Sequence, residues 1–234
     1  MLEFINFSKS YGNRLAVDNL NLKIEQGDIY AFVGPNGAGK TTTLKSACGI
    51  LDFEQGDILI DGISIKENPI LCKKKIAYLP DNPDLYEFLS GIDYLNFICD
   101  IYDVRDNREA LIKEYSDLFE LTGFLGNTIN TYSHGMKQKL AIISSLIHKP
   151  KLLILDEPFV GLDPVSAHKL QEVFKKLTKE GMAVLFSTHV LEVAEKLCNK
   201  VAIIKEGKLV VSGSIRQVLK DKSLVDLFLE QVHG

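Results

Sequence analysis

Cysteine is sparse and unpatterned in this chain. Cys48, Cys72, Cys99 and Cys198 are scattered, and no two of them form a C-x-x-C pair. Neither a zinc site nor a dithiol redox motif is indicated, and the spacing fits reduced thiols in a cytosolic setting. The opening residues, MLEFINFSKSYG, lack both a basic start and a long apolar run, so a signal peptide is not expected. No uninterrupted apolar stretch approaches the ~20 residues that span a bilayer. The chain is therefore expected to have no membrane-spanning segment of its own, although a partner could hold it at one. Basic residues are not in excess: Lys and Arg number 27 against 31 Asp and Glu, a net charge of -4. No nucleic-acid partner is expected from that balance. Internal repeats and low-complexity segments are absent as well. What remains is 234 residues, 46% hydrophobic and 25% charged, enough for one large core or two unequal lobes.

The most informative stretch is GPNGAGKTT, comprising Gly34, Pro35, Asn36, Gly37, Ala38, Gly39, Lys40, Thr41 and Thr42. It satisfies G-x-x-x-x-G-K-[ST] and sits between a buried-strand pattern, Ile29 to Val33, and a helix-like run, Thr41 to Ile50. Gly34, Gly37 and Gly39 let successive N–H groups turn toward one anion. The helix that begins near Gly39 points its positive end at the same place. Lys40 supplies a full charge for β- and γ-phosphates, and Thr41 a hydroxyl for Mg²⁺.

Residues 2–7 and 20–24 alternate in polarity like half-buried strands, with a turn at Gly12-Asn13. Asp57 to Ile60 and Ile63 to Ile65 flank Asp61-Gly62, the pattern of a hairpin. Ile76 to Leu79 reads as a short strand closed by Pro80. From Gly91 to about Gly123 the texture is helical, with Leu111, Tyr115, Leu118 and Phe119 on one face. Ser133 precedes a further helix, Gly135 to Lys149, whose Lys137, Lys139 and Lys149 are expected on a solvated face. KLLILD, Lys151 to Asp156, has the continuous apolar character of a strand buried on both faces. Asp163-Pro164 opens the next helix, which Gly181 ends. Strand 183–186, a helix around Leu191 to Leu197, a hairpin across Glu206-Gly207-Lys208, and two short helices from Ser214 and Ser223 complete the chain. The alternation of strand and helix indicates an α/β fold with a mostly parallel sheet.

Asp156-Glu157 ends the KLLILD strand. Parallel sheets bind ligands at the carboxyl ends of their strands, and the phosphate loop leaves such an end too. Asp156 is thereby placed to hold Mg²⁺, and Glu157 to polarise a water for attack on the γ-phosphate.

The order of motifs resembles the nucleotide-binding domain of an ABC transporter, from Tyr11 to about Gly213, and most of all bacterial exporter-type ATPases. Tyr11 stands where the family has an adenine-stacking ring. YSHGMKQ (Tyr132 to Gln138) resembles the LSGGQ signature, LLILDEP (Leu152 to Pro158) the Walker B strand with its glutamate, GLDP (Gly161 to Pro164) the D-loop, and STH (Ser187 to His189) the switch histidine. The resemblance implies a P-loop NTPase core with an N-terminal antiparallel β subdomain, together formed by 1–82 and 151–213. It also implies an inserted helical subdomain, 83–150, and C-terminal helices, 214–234. Two copies, or a paired ATPase subunit, would enclose two ATP head to tail. Ser133 and Gly135 of one copy would reach the γ-phosphate held by the other, His189 would hold Glu157 and the water in line, and Asp163 would couple the two sites. A separate transmembrane permease would be the partner, with this chain peripheral on the cytoplasmic face of the cell membrane.

The sequence departs from the family pattern in three places. His134 replaces the first signature glycine, Met136 replaces the glutamine, and Asp81 stands in LPD where the Q-loop has glutamine; shorter and anionic, Asp81 is expected to face Mg²⁺ or a bound water. Three other functions share parts of this pattern. A soluble ABC ATPase acting on ribosomes or DNA usually has tandem domains or long coiled coils, and no sustained heptads occur here. A GTPase would need N-K-x-D, whose nearest match, Asn199-Lys200-Val201-Ala202, lacks the aspartate. The altered signature also allows a weakly hydrolysing, nucleotide-gated module.

Overall fold

A computed structural model describes residues 1–233. Its first strands run longer than their polarity alternation predicts. β1 (Leu2–Tyr11) and β2 (Arg14–Ile24) pair antiparallel, with Tyr11 opposite Arg14 across a turn in which Gly12 takes φ +57. β3 (Ile29–Val33) is buried at all five positions. A glycine loop then leads into α1 (Lys40–Ala47). β4 (Gln55–Ile60) pairs with the other side of β1, and β5 (Ile63–Ser64) returns across Asp61-Gly62, both residues at positive φ. The sequence gives no sign of α2 (Pro69–Lys73): it is a single turn with Ile70 and Leu71 exposed, too short to show a periodic stripe. β6 (Ile76–Leu79) stops at Pro80 as expected.

The helical stretch after Gly91 divides in two. α3 (Gly91–Ile101) is capped by Ser90 and α4 (Arg108–Leu118) follows a turn where Asp103 and Asn107 take positive φ. α5 (His134–Leu146) starts at the Ser133 cap, whose hydroxyl accepts from the Met136 N–H at 3.2 Å, and ends three residues short of the expected Lys149, which is left-handed at φ +51. Its lysines are not simply solvated: Lys137 pairs with Glu87, and Lys139 with Asp163 at 3.3 Å. β7 (Leu152–Asp156) and α6 (Pro164–Lys179) follow. The Asp163 carboxylate caps α6 by accepting from the Ser166 N–H at 2.9 Å. β8 (Ala183–Thr188), α7 (Leu191–Leu197), β9 (Lys200–Lys205), β10 (Lys208–Ser214), α8 (Ile215–Leu219) and α9 (Leu224–His233) complete the described chain.

Two sheets result. The four-stranded one has the order β2-β1-β4-β5 and is antiparallel. The six-stranded one has the order β10-β9-β3-β8-β7-β6, parallel throughout except for β10 at its edge. Because successive side chains on a strand point to opposite faces, each central strand feeds two cores. Val33, Leu153, Leu155, Val184 and Phe186 face a cluster shared with α3 to α7. Phe32, Leu152, Ile154, Leu185 and Ile204 face a second cluster shared with α1 and the antiparallel sheet. This explains the unbroken apolar runs of β3, β7 and β8, since neither face meets water.

Phe174 of α6 is fully buried against Phe186 and Phe159, at centroid distances of 6.3 and 6.2 Å. Truncating it leaves a cavity beneath the sheet. Phe174→Ala is expected to cost about 3–5 kcal/mol, measured as a drop in the urea midpoint at unchanged m-value.

Candidate nucleotide site

The carboxyl ends of β3, β7 and β8 meet at one place. Gly34 leaves β3 with no room for a side chain: a Cβ there would stand 2.4 Å from the Ile204 carbonyl oxygen. At Gly39, φ is +106 and a Cβ would stand 2.5 Å from the Ala16 carbonyl oxygen. These two positions demand glycine, and between them the loop curls into the start of α1. The β9–β10 turn braces it, with the Gly207 N–H donating to the Ala38 carbonyl at 3.0 Å.

Lys40 is buried at 8% exposure, and its Nζ donates to the carbonyls of Gly34 at 2.6 Å and Pro35 at 3.2 Å. Burial lowers the pKa of the ammonium from its ordinary value, against the opposing pull of Glu157 and Asp156. Thr41 Oγ1 donates to Asp156 Oδ2 at 2.6 Å. The other carboxylate oxygen, Oδ1, accepts from the Ser187 hydroxyl at 2.5 Å, and the same hydroxyl accepts from the Glu157 N–H at 3.1 Å. Ser187 thus ties the two neighbouring acids together. Glu157 itself is left-handed, φ +50. Its Oε2 lies 3.0 Å from His189 Nδ1 and accepts from the His189 N–H at 3.3 Å. His189 is 63% exposed and reaches the cleft only through Glu157, since it is not among the residues that line it.

A cleft of about 900 Å³ opens over these groups. Pro35 through Thr42 line it, together with Tyr11, Asp81, Asp156 and Glu157. Tyr11 is half exposed at the end of β1, with the Lys9 ammonium 5.4 Å from its ring centroid. Gly34 lies beneath, against β9. Ser133 and Gly135 do not line the cleft; they start α5, beside Gly161. Asp163, farther along, has its carboxyl held well below the usual range by hydrogen bonds from the Ser166 hydroxyl and N–H, with Lys139 adding less.

Two charged lining residues, Arg14 and Glu206, are not marked in the sequence as part of the site. Arg14 faces Tyr11 across the first hairpin and its Nη2 would lie 3.8 Å from a Cβ on Gly37; the hairpin register could have found it. Ser187, expected only as the first residue of the STH run, is fully buried and bears on the site through its bonds to Asp156 and Glu157. Glu206 is brought over the cleft by the β9–β10 turn, and no local signal marks it.

A glycine loop feeding a helix from a parallel strand, with acids at the end of a second strand and a histidine after a third, defines a P-loop nucleotide-hydrolysing protein. The ABC transporter family model matches residues 17–160. The uncharacterized ABC transporter ATP-binding protein YhcH of Bacillus subtilis (strain 168) is 40% identical over 233 residues, 99% of this chain and 75% of YhcH. Among solved structures, an ATP binding subunit of an ABC transporter superposes with a TM-score of 0.95 at 30% identity, covering 98% of both chains. The ATP-binding cassette MJ0796, a dimer in a post-hydrolysis state bound to ADP and Pi, superposes at 0.84 with 25% identity, covering 92% of this chain and 99% of that one. The chain belongs to the ABC transporter ATP-binding family. It is an ATP-binding and ATP-hydrolysing subunit of such a transporter.

Proposed function

We propose that this chain works as one of a pair of ATPase subunits that close around two ATP and drive a separate transmembrane permease. One observation carries the reading. Lys40, Thr41, Asp156 and Glu157 converge on one cleft, while Ser133 and Gly135 lie outside it at the exposed start of α5. A second subunit, related by a two-fold axis, would bring its α5 to this cleft and offer its own cleft to this chain's α5, an isologous arrangement.

Within the cleft the division of labour follows from chemistry. Tyr11 offers a ring face to adenine. The N–H groups of the 34–42 loop and the Lys40 ammonium hold the phosphates. Thr41 and Asp156 present a hydroxyl and a carboxylate already 2.6 Å apart. Two oxygen donors fit Mg²⁺, a hard ion that keeps waters and phosphate oxygens as its other ligands. When bound, it would neutralise charge developing on the β- and γ-oxygens. Asp81 borders the same space and would reach that ion through water. Glu157 takes the proton of the attacking water, and His189 steers the Glu157 carboxylate through the 3.0 Å contact. Hydrolysis removes the contacts that favour the closed pair, which makes the pair a motor. In this reading residues 83–150 form the lobe that carries α5, and 214–234 form an appendage.

Among the described residues no helix is long and apolar enough to cross a membrane. In this reading the permease is another chain, and this one sits on the cytoplasmic face. Isolation of the tagged chain from detergent-solubilised membranes is expected to bring down a multi-span protein. Recovery with ribosomes or in the soluble fraction alone would overturn the transporter assignment.

A further inference from the structure

α5 begins with a histidine whose ring lies against the stretch that joins β7 to α6. A Cβ built on Gly161 would stand 2.6 Å from both Cδ2 and Nε2 of His134. A Cβ on Gly135 would stand 3.2 Å from the Gly161 carbonyl oxygen. Further along α5, Lys139 Nζ lies 3.3 Å from Asp163 Oδ2. The first turns of one helix therefore hold residues 161 and 163 from the side.

The other end of that stretch is Glu157. The Val160 N–H donates to the Glu157 carbonyl at 3.1 Å, and the Leu162 N–H to the Phe159 carbonyl at 3.4 Å, so residues 157–162 form two tight turns. Phe159 pins the middle, 5.6 Å from the Phe186 ring centroid and 6.2 Å from Phe174. Glu157 is held left-handed at φ +50, a conformation that persists only where the surroundings over-determine it. Ser187 and His189 fix its amide and its carboxylate. The turn to Gly161 fixes its other flank, and His134 closes over that glycine.

We propose that His134, assisted by Lys139, is a positioning residue for hydrolysis: its ring clamps residues 157–163 of its own chain and so holds the Glu157 carboxylate in place. The proposal rests on the reading of Glu157 as the water-activating carboxylate. His134 does not line its own cleft. Its effect passes through packed backbone. The start of α5, which faces the paired subunit's nucleotide in the proposed assembly, is thereby continuous with the carboxylate of the chain's own cleft. A phosphate engaged by Ser133 and Gly135 then bears on Glu157 through residue 161.

The test is a double-mutant cycle on ATP turnover by the full-length chain. Gly161→Ala forces a methyl into the His134 ring and is expected to lower kcat about tenfold or more, the scale of a catalytic group displaced from a distance, with KM for ATP nearly unchanged. His134→Ala frees the loop and also lowers kcat. In the double variant the clash is gone, so kcat recovers above that of Gly161→Ala alone; the residual loss reflects the missing ring together with alanine at φ +79. Independent, multiplying losses would overturn the clamp, because residues in contact are expected to be non-additive. Lys139→Met supplies a second arm with the same kcat-against-KM split, and unchanged turnover in it and in His134→Ala together would also overturn the proposal. ATP-driven association, read by light scattering in a Glu157→Gln background, is expected to survive His134→Ala. Its loss there would make His134 a nucleotide contact rather than a positioning residue. Wild-type turnover in Glu157→Gln alone would instead remove the reading of Glu157 on which the proposal stands.

Discussion

Glu157→Gln lowers ATP turnover by about 10²–10⁴-fold, the range expected when a positioned general base is removed, and leaves ATP binding intact. The side chain keeps its length and still accepts from the His189 N–H, but an amide cannot take a proton from water. The backbone bond to Ser187 is untouched, so Asp156 keeps its place. Since the cleft still binds ATP and no longer clears it, the variant is expected to accumulate as a nucleotide-bound dimer. Phosphate release and light scattering with and without ATP measure the two effects together. Normal turnover would place the water-activating group elsewhere; slow turnover without association would argue against the paired arrangement.

Lys40→Met is expected to act at the earlier step. Its ammonium is the cation that the loop wraps, held by the carbonyls of Gly34 and Pro35. Methionine fills similar space without charge, so phosphate affinity falls and turnover drops by at least the 10²–10³ expected for a lost preorganised donor at developing charge (about 2.7–4 kcal/mol). Stability should move the other way or not at all, because the substitution relieves the burial of a charged group. Thermal unfolding distinguishes these effects. Wild type is expected to gain about 2.7 kcal/mol at ATP one hundred times its dissociation constant, while Lys40→Met gains little. A full ATP-induced shift in the variant would refute the role given to this lysine.

The parts of the fold that were readable in the sequence are those whose signal is local. β3, β7 and β8 declare themselves because both faces are buried, and α5 and α6 because Ser133 and Asp163 cap them. The Gly34–Thr42 loop is legible because few sequences satisfy its spacing between a strand and a helix. What stayed hidden depends on tertiary geometry. The ten-residue length of β1 comes from pairing with β2 on one side and β4 on the other, with register shifts that blur the alternation. α2 is too short for a period. Lys139 reads as a surface cation until α6 brings Asp163 beside it. Likewise Arg14 and Glu206 enter the cleft only because a hairpin and the β9–β10 turn are folded over the loop. The histidine in the signature, seen in the sequence as a departure from pattern, acquires a physical neighbour only when Gly161 is known to lie against it.

The two-sided burial of the central strands has an engineering consequence. Along β7, Leu152 and Ile154 serve one layer, Leu153 and Leu155 the other, and Asp156 follows in phase. Adding or removing a single residue there would exchange the layers and swing the acid away from Thr41, so substitutions are negotiable in these strands but changes of length are not. A new side chain is better placed at a surface position such as Gly123, which is exposed and where a Cβ would meet nothing within 4 Å.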